Sequence, residues 1–292
     1  MRLTNLQKIT FPESIAEAVH ILSDEKRSAV PLSGGVSFVF SPLPAVEELV
    51  SLRNLPLRYV KTKSGGLQIG ATTLIGEMVE SRAVRTYADG ALWEAARRVG
   101  STLNRNLITI GGSLVQPFIW SDLPTVALAL GAKFRIHGRK IQTVEAEKFF
   151  AKVPKQLLKS GELVTEIVFP PLPSGSRTAY HKFTLTENDF ALLKVAIVLN
   201  RRERLCRDIT IVVGGAVILP QEVREAERVL RGKRVSQAMV NEASEVAAEE
   251  IKVAKDIRCT TDYKRQLCRV MVRGILEEIM LDQKVAETWK LL

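Results

Sequence analysis

Two short glycine pairs hold the residues of this chain most able to do chemistry. They are Leu32-Ser33-Gly34-Gly35-Val36-Ser37 and Thr109-Ile110-Gly111-Gly112-Ser113. Glycine tolerates φ > 0 and leaves no Cβ in the way. Successive backbone N–H groups can then converge on an anion, and Ser33, Ser37, Thr109 and Ser113 add hydroxyl donors. Each pair is expected at the end of a strand; the first follows the apolar run Ala29–Leu32. One such pair is an ordinary turn. Two of them, ~75 residues apart, point to two loops closing on one diphosphate.

Other chemistries find less support. The chain has no Gly-x-Gly-x-x-Gly after a strand, no P-loop and no Gly-x-Ser-x-Gly elbow. Cys206, Cys259 and Cys268 are too few and too widely spaced for a disulfide framework or an iron–sulfur cluster, and His20, His137 and His181 form no ligand pattern. No bound metal is expected. The 292 residues are 46% hydrophobic and 25% charged, an ordinary globular composition, with a net charge of +10. That charge suits a dinucleotide or an acidic partner subunit. The densest basic cluster, Arg201-Arg202-Glu203-Arg204 with Arg207, reads as a solvated hairpin, so no nucleic-acid partner is expected. No apolar run approaches the ~20 residues of a membrane span. Met1–Asn5 lack the core of a signal peptide, so a cytoplasmic location is expected.

The elements that must carry the glycine pairs follow from periodicity. A helix is expected over Pro12–Leu22 and a strand over Ala29–Leu32. A second lobe is expected from near Tyr59, with a helix over Ala91–Val99 burying Leu92, Ala95, Ala96 and Val99. Asp122-Leu123-Pro124 opens an apolar helix, where Asp122 serves either as cap or as ligand contact. Glu162–Phe169 reads as a strand, and Pro170–Ser176 as a linker. Beyond it, Tyr180–Leu185, Phe190–Leu199 and Ile209–Ile218 predict three antiparallel strands, with Gly214-Gly215 a bulge or close packing point. Leu267, Val270, Met271, Gly274 and Ile275 mark the core face of a last helix.

Several motifs together resemble the flavin-binding medium subunit of molybdenum hydroxylases, the group of carbon monoxide dehydrogenase and xanthine dehydrogenase. They are Ser33-Gly34-Gly35-Val36-Ser37, Gly70-Ala71-Thr72-Thr73, Arg105-Asn106-Leu107-Ile108-Thr109-Ile110-Gly111-Gly112-Ser113-Leu114, Asp122-Leu123-Pro124, Tyr180-His181-Lys182-Phe183 and Asp189-Phe190-Ala191-Leu192. The resemblance covers nearly the whole chain, and its second glycine signature is the specific one. It implies an α+β fold: a two-lobed FAD-binding domain of the PCMH/vanillyl-alcohol-oxidase-like type over 1–172, with lobes of about 1–55 and 56–172. A three-stranded sheet with helices would follow over 175–292.

The resemblance also implies site roles. Leu32, Ser33, Gly34, Gly35, Val36, Ser37, Phe38 and Val39 would wrap the FAD diphosphate and ribityl chain, and Thr109, Ile110, Gly111, Gly112 and Ser113 would face them. Asp122 would bond a sugar or ribityl hydroxyl or a nearby backbone donor. Val99 and Val164 would pack near the flavin, and Lys182 would approach its ring as a tuning cation. FAD would take electrons from an iron–sulfur small subunit, fed by a molybdopterin-binding large subunit, and pass them to NAD or another acceptor. This chain departs from the family's pattern at Thr102-Leu103-Asn104, at the bulky Gln116–Trp120 segment and at Leu185-Thr186, where relatives carry paired arginines. A stand-alone flavin oxidoreductase and a non-catalytic FAD-binding assembly module are the alternatives.

Overall fold

Short parallel strands open the chain. β1 (Lys8–Thr10), β2 (Ala29–Leu32) and β3 (Glu48–Ser51) pair in the order β1-β3-β2. The computed structural model describes residues 5–39, 46–186 and 189–282. The described chain forms two compact units that interleave along the sequence. The first spans Met1–Ala83, Ser101–Pro117 and Gly131–Pro170; the second spans Val84–Gly100, Phe118–Leu130 and Pro171–Leu292.

In the first unit the helix Ile15–Leu22 starts at Ser14, whose hydroxyl accepts from the Glu17 N–H at 3.1 Å. Such a cap is worth about 1 kcal/mol. Ala18, Ile21 and Leu22 bury against Val50, Leu52, Leu55, Leu57 and Leu163. The second sheet is antiparallel. Its strands are β4 (Val60–Lys63), β5 (Gly66–Gly70), β6 (Lys133–His137), β7 (Ile141–Glu145) and β8 (Leu163–Phe169), in the order β4-β5-β8-β6-β7. Its central strand, β8, is almost wholly buried, as a strand covered on both faces must be.

The second unit holds an antiparallel sheet of β9 (Ser176–Phe183), β10 (Leu193–Arg202), β11 (Leu205–Gly214) and β12 (Gln221–Glu222). Its order is β12-β11-β10-β9. The expected three strands are therefore joined by a short fourth. Phe190 lies outside β10, which starts at Leu193. The basic cluster sits on the β10–β11 hairpin, where Glu203 has φ +53°. The helices Arg224–Leu230, Gln237–Glu250 and Thr261–Leu281 share the core of this sheet, with Leu267, Cys268, Met271 and Ile275 fully inside and Val270 at its margin. Gly214 is a close packing point: a Cβ there would lie 2.1 Å from Thr125 Oγ1 of the helix Leu123–Ala129. Among the described residues no helix is long and apolar enough to cross a membrane.

Candidate functional site

The two glycine pairs meet in the first unit. Ser33 Oγ donates to Thr109 Oγ1 at 3.1 Å, joining segments 76 positions apart. Gly34 lies so close to the second segment that a Cβ would sit 1.9 Å from the Leu107 carbonyl oxygen. Only glycine fits there. Gly35 has φ +73°, the left-handed conformation expected of this turn. The 3-10 turn Val36–Val39 follows, with Phe38 buried; the Val39 side chain lies outside the described residues.

The second pair differs from its expectation. It does not end a strand. Gly111 and Gly112 form the first turn of a six-residue helix, Ile110–Val115. Thr109 is its cap and accepts from the Gly112 N–H at 3.2 Å. Neither glycine has positive φ, and the physical reason for Gly111 is steric: a Cβ would lie 2.6 Å from the Ala71 carbonyl oxygen. The segment after β5 holds this helix in place. Gly111 N–H donates to Ala71 O at 2.9 Å and Ile110 N–H to Thr73 O at 3.0 Å. Thr73 Oγ1 is itself bonded to the Tyr59 N–H and carbonyl.

Between these segments lies a cleft of about 380 Å³. Its walls include Ser33, Gly34, Gly35, Ser37, Phe38, Gly111, Gly112 and Val164 from the expected set. Leu32 ends β2 beside it, and Ile110 is fully buried behind it. Sequence reasoning missed part of the lining: Gln116, Lys155, Lys159 and Glu162. The walls of the cleft combine glycine backbone and the hydroxyls of Ser33 and Ser37 with apolar Phe38 and Val164, so polar donors and dry surface lie side by side.

Val99, Asp122 and Lys182 belong to the second unit. Val99 is buried just beyond the helix Ala91–Arg97. Asp122 stands at the N-cap position of Leu123–Ala129 but makes no cap bond. Its carboxylate accepts from Tyr180 Oη at 2.7 Å and from Lys182 Nζ at 3.1 Å. Lys182 also donates to the Arg98 carbonyl at 2.9 Å. The pair is buried, with side-chain exposures of 4% for Lys182 and 5% for Asp122. Lys182 therefore presents an ion-paired ammonium, not a bare one.

A fourth group completes this cluster. Lys194 lies directly across from Lys182 in the β9–β10 register. It is 1% exposed and donates to the carbonyls of Ile119 (3.2 Å) and Ser121 (2.5 Å). Facing like charges cost stability, and Asp122 compensates one of the two. Burial lowers the Lys194 ammonium to about 8, against the pull of Asp122 and with the push of Lys182. Burial, then Asp122, raises the Tyr180 phenol well above its ordinary value. The signal for Lys194 was in the sequence: a lone lysine in the apolar run Leu192–Leu199 must find partners. Nearby, Trp120 is half-buried in a stack between Phe118 (4.9 Å) and Phe190 (4.6 Å).

Residues 4–172, which carry both glycine pairs, match the family described as the FAD binding domain in molybdopterin dehydrogenase. Residues 178–279 match the CO dehydrogenase flavoprotein C-terminal domain. The chain belongs to this family: it is an FAD-binding subunit of an oxidoreductase, with the α+β fold that the family implies. It is similar to the glyceraldehyde dehydrogenase medium chain of Sulfolobus acidocaldarius, at 29% identity over 91% of this chain and 96% of that one. It is also similar to the carbon monoxide dehydrogenase medium chain of Hydrogenophaga pseudoflava, at 28% over 91% and 94%. Among solved structures, reconstituted CO dehydrogenase from Oligotropha carboxidovorans superposes with a TM-score of 0.88, at 26% identity, over 97% of this chain and 100% of that one.

Proposed function

We propose that this chain is the electron-transfer flavoprotein of a molybdenum hydroxylase-type complex. FAD, when bound, would supply the redox chemistry of electron transfer from an iron–sulfur small subunit, fed by a molybdopterin-binding large subunit, to NAD or another acceptor. No general base or nucleophile is required of this chain. Its residues bind and orient. Backbone amides and hydroxyls of 32–39 would donate to the diphosphate, where bonds to a charged acceptor are the stronger kind; 109–113 would face it with hydroxyls and the close backbone approach its glycines allow, because the amides of Ile110, Gly111, Gly112 and Ser113 are bonded within the chain. Val99 and Val164 supply dry surface beside the ring. Asp122 and Lys182, one ion-paired unit, would tune the flavin as a pair and not as a bare cation. The FAD-binding part is taken as 1–172, with lobes of about 1–55 and 56–172, and the C-terminal part as 175–292. Residues 1–4, 40–45, 187–188 and 283–292 of these spans lie outside the described residues. A cytoplasmic location belongs to the same proposal.

One observation carries the reading: the Ser33–Thr109 hydrogen bond ties two glycine segments around one cleft, inside the span that matches an FAD-binding family. Purification of the native complex tests it, with flavin and metal analysis. The expected material is yellow and holds FAD, iron and molybdenum, and its flavin band bleaches with the complex's reductant. Colourless material, or a chain isolated from its source without partner subunits, contradicts the proposal. Bleaching by NADH distinguishes NAD from other acceptors.

A further inference from the structure

The cleft has a rim that the glycine pairs do not explain. The short helix Pro154–Leu157 and the loop after it bring Lys155 and Lys159 to the cleft that Gly34, Gly35, Gly111 and Gly112 also line. Both lysines are exposed, and neither has an ion-pair partner among the described residues. The rim's carboxylate, Glu162, is already engaged: Oε2 accepts from the Lys159 N–H at 2.9 Å and Oε1 from Gln142 Nε2 at 3.1 Å. Two lysines against this one carboxylate leave the lining with a surplus positive charge. A second observation shows that the loop is built. Ser160 Oγ donates to the Leu22 carbonyl at 3.1 Å, closing the end of the helix Ile15–Leu22. Gly161 has φ +76° and lies where a Cβ would meet Ser23 Oγ at 1.8 Å. Glu162 N–H returns to the Lys159 carbonyl at 2.9 Å, so the turn that carries Lys159 is closed on itself.

We infer that Lys155 and Lys159 form a cationic rim that holds the anionic diphosphate of the dinucleotide in this cleft, which the glycine segments also line. The inference rests on the FAD reading above. Backbone amides give direction, whereas two mobile ammonium groups give charge, which a doubly anionic diphosphate needs. Long flexible stems let the lysines close over a ligand without a preformed geometry. The rim is a retention device: its loss raises the dissociation rate of the cofactor and weakens affinity, and salt mimics that loss by screening.

The test is FAD titration of the full-length chain, stripped of flavin, followed by flavin fluorescence at low and at moderate salt. Three variants are compared with wild type: Lys155→Ala/Lys159→Ala, Lys155→Arg/Lys159→Arg, and Lys148→Ala/Lys152→Ala, whose lysines do not line the cleft. Circular dichroism checks that each folds. The expected result is a Kd raised at least ~10-fold, equivalent to about 1.4 kcal/mol, in the cleft-rim alanine pair only. That pair should also show a flatter salt dependence, and the arginine pair should retain near-wild-type affinity. A folded alanine pair with wild-type Kd and wild-type salt dependence overturns the inference. So does equal weakening by Lys148→Ala/Lys152→Ala, which reads as net charge alone. If wild type itself fails to bind FAD, the functional reading fails first, and the two failures are distinct.

Discussion

At the scale of single residues, two kinds of position carry the account. Gly34 is fixed by space, because its neighbour is a backbone oxygen that cannot turn aside. Gly34→Ala must push the two segments apart, an overpacking cost of about 1–3 kcal/mol. Chemical denaturation should show that loss, and FAD titration should show weakened binding; wild-type values for both would contradict the assignment. Asp122 and Lys182 are fixed by charge. Removing one partner of a buried pair costs about 3–5 kcal/mol, because the other charge stays buried and unpaired. Lys182→Met is therefore expected to destabilise more than the double variant Lys182→Met/Asp122→Asn, as read from denaturant midpoints. Additive losses would mean that the pair is not coupled. The glycines and Asp122 were legible in the sequence as residue types that must do something unusual. What Asp122 does was not legible: its partners Tyr180 and Lys182 lie 58 and 60 positions away, on a strand that local pattern could not align with it.

At the scale of elements, period and capping were readable where packing agreed with propensity. The first helix begins at Ser14 as a capped amphipathic segment should, and β2 occupies Ala29–Leu32 as its apolar run predicts. The second glycine pair was misassigned to a strand end because glycine is read as a breaker. Here Thr109 supplies a cap, and the Ala71 carbonyl leaves no room for a Cβ, so a short helix wins. The helix Arg224–Leu230 gives a pH test at this scale. Its Glu227 is wholly buried, accepts the Ile211 N–H at 2.8 Å, and is pushed up to about 8, with burial outweighing Arg231 and the Ile211 bond. The folded state then holds the proton more tightly than the unfolded chain. That contribution to stability is complete below about pH 4 and is lost as pH rises through about 8. Glu227→Gln cannot ionise yet keeps an acceptor for Ile211. Its stability relative to wild type should therefore rise between about pH 5 and pH 8; parallel pH profiles for the two proteins would contradict the assignment.

At the scale of the whole molecule, the sequence showed a helix-and-strand chain with two glycine signatures and a helical C-terminal part. It did not show that Val84–Gly100 and Phe118–Leu130 fold with the C-terminal sheet. That grouping depends on which apolar faces meet. The helix Leu123–Ala129 packs on β10 and β11, with Thr125 against Gly214, and no local pattern at 123–129 states which sheet will receive it. The same distance hid the lysine rim: Lys155 and Lys159 look like solvated charges until the chain brings them beside Gly34 and Gly111.

The central claim is that one diphosphate is held between residues 32–39 and 109–113. A crystal structure of the full chain grown with FAD, at a concentration that saturates binding in solution, tests it directly. The account predicts phosphate density within hydrogen-bonding reach of the Gly34–Gly35 segment and against the Thr109–Ser113 segment that faces it. Well-ordered FAD with its diphosphate against any other part of the chain would contradict it.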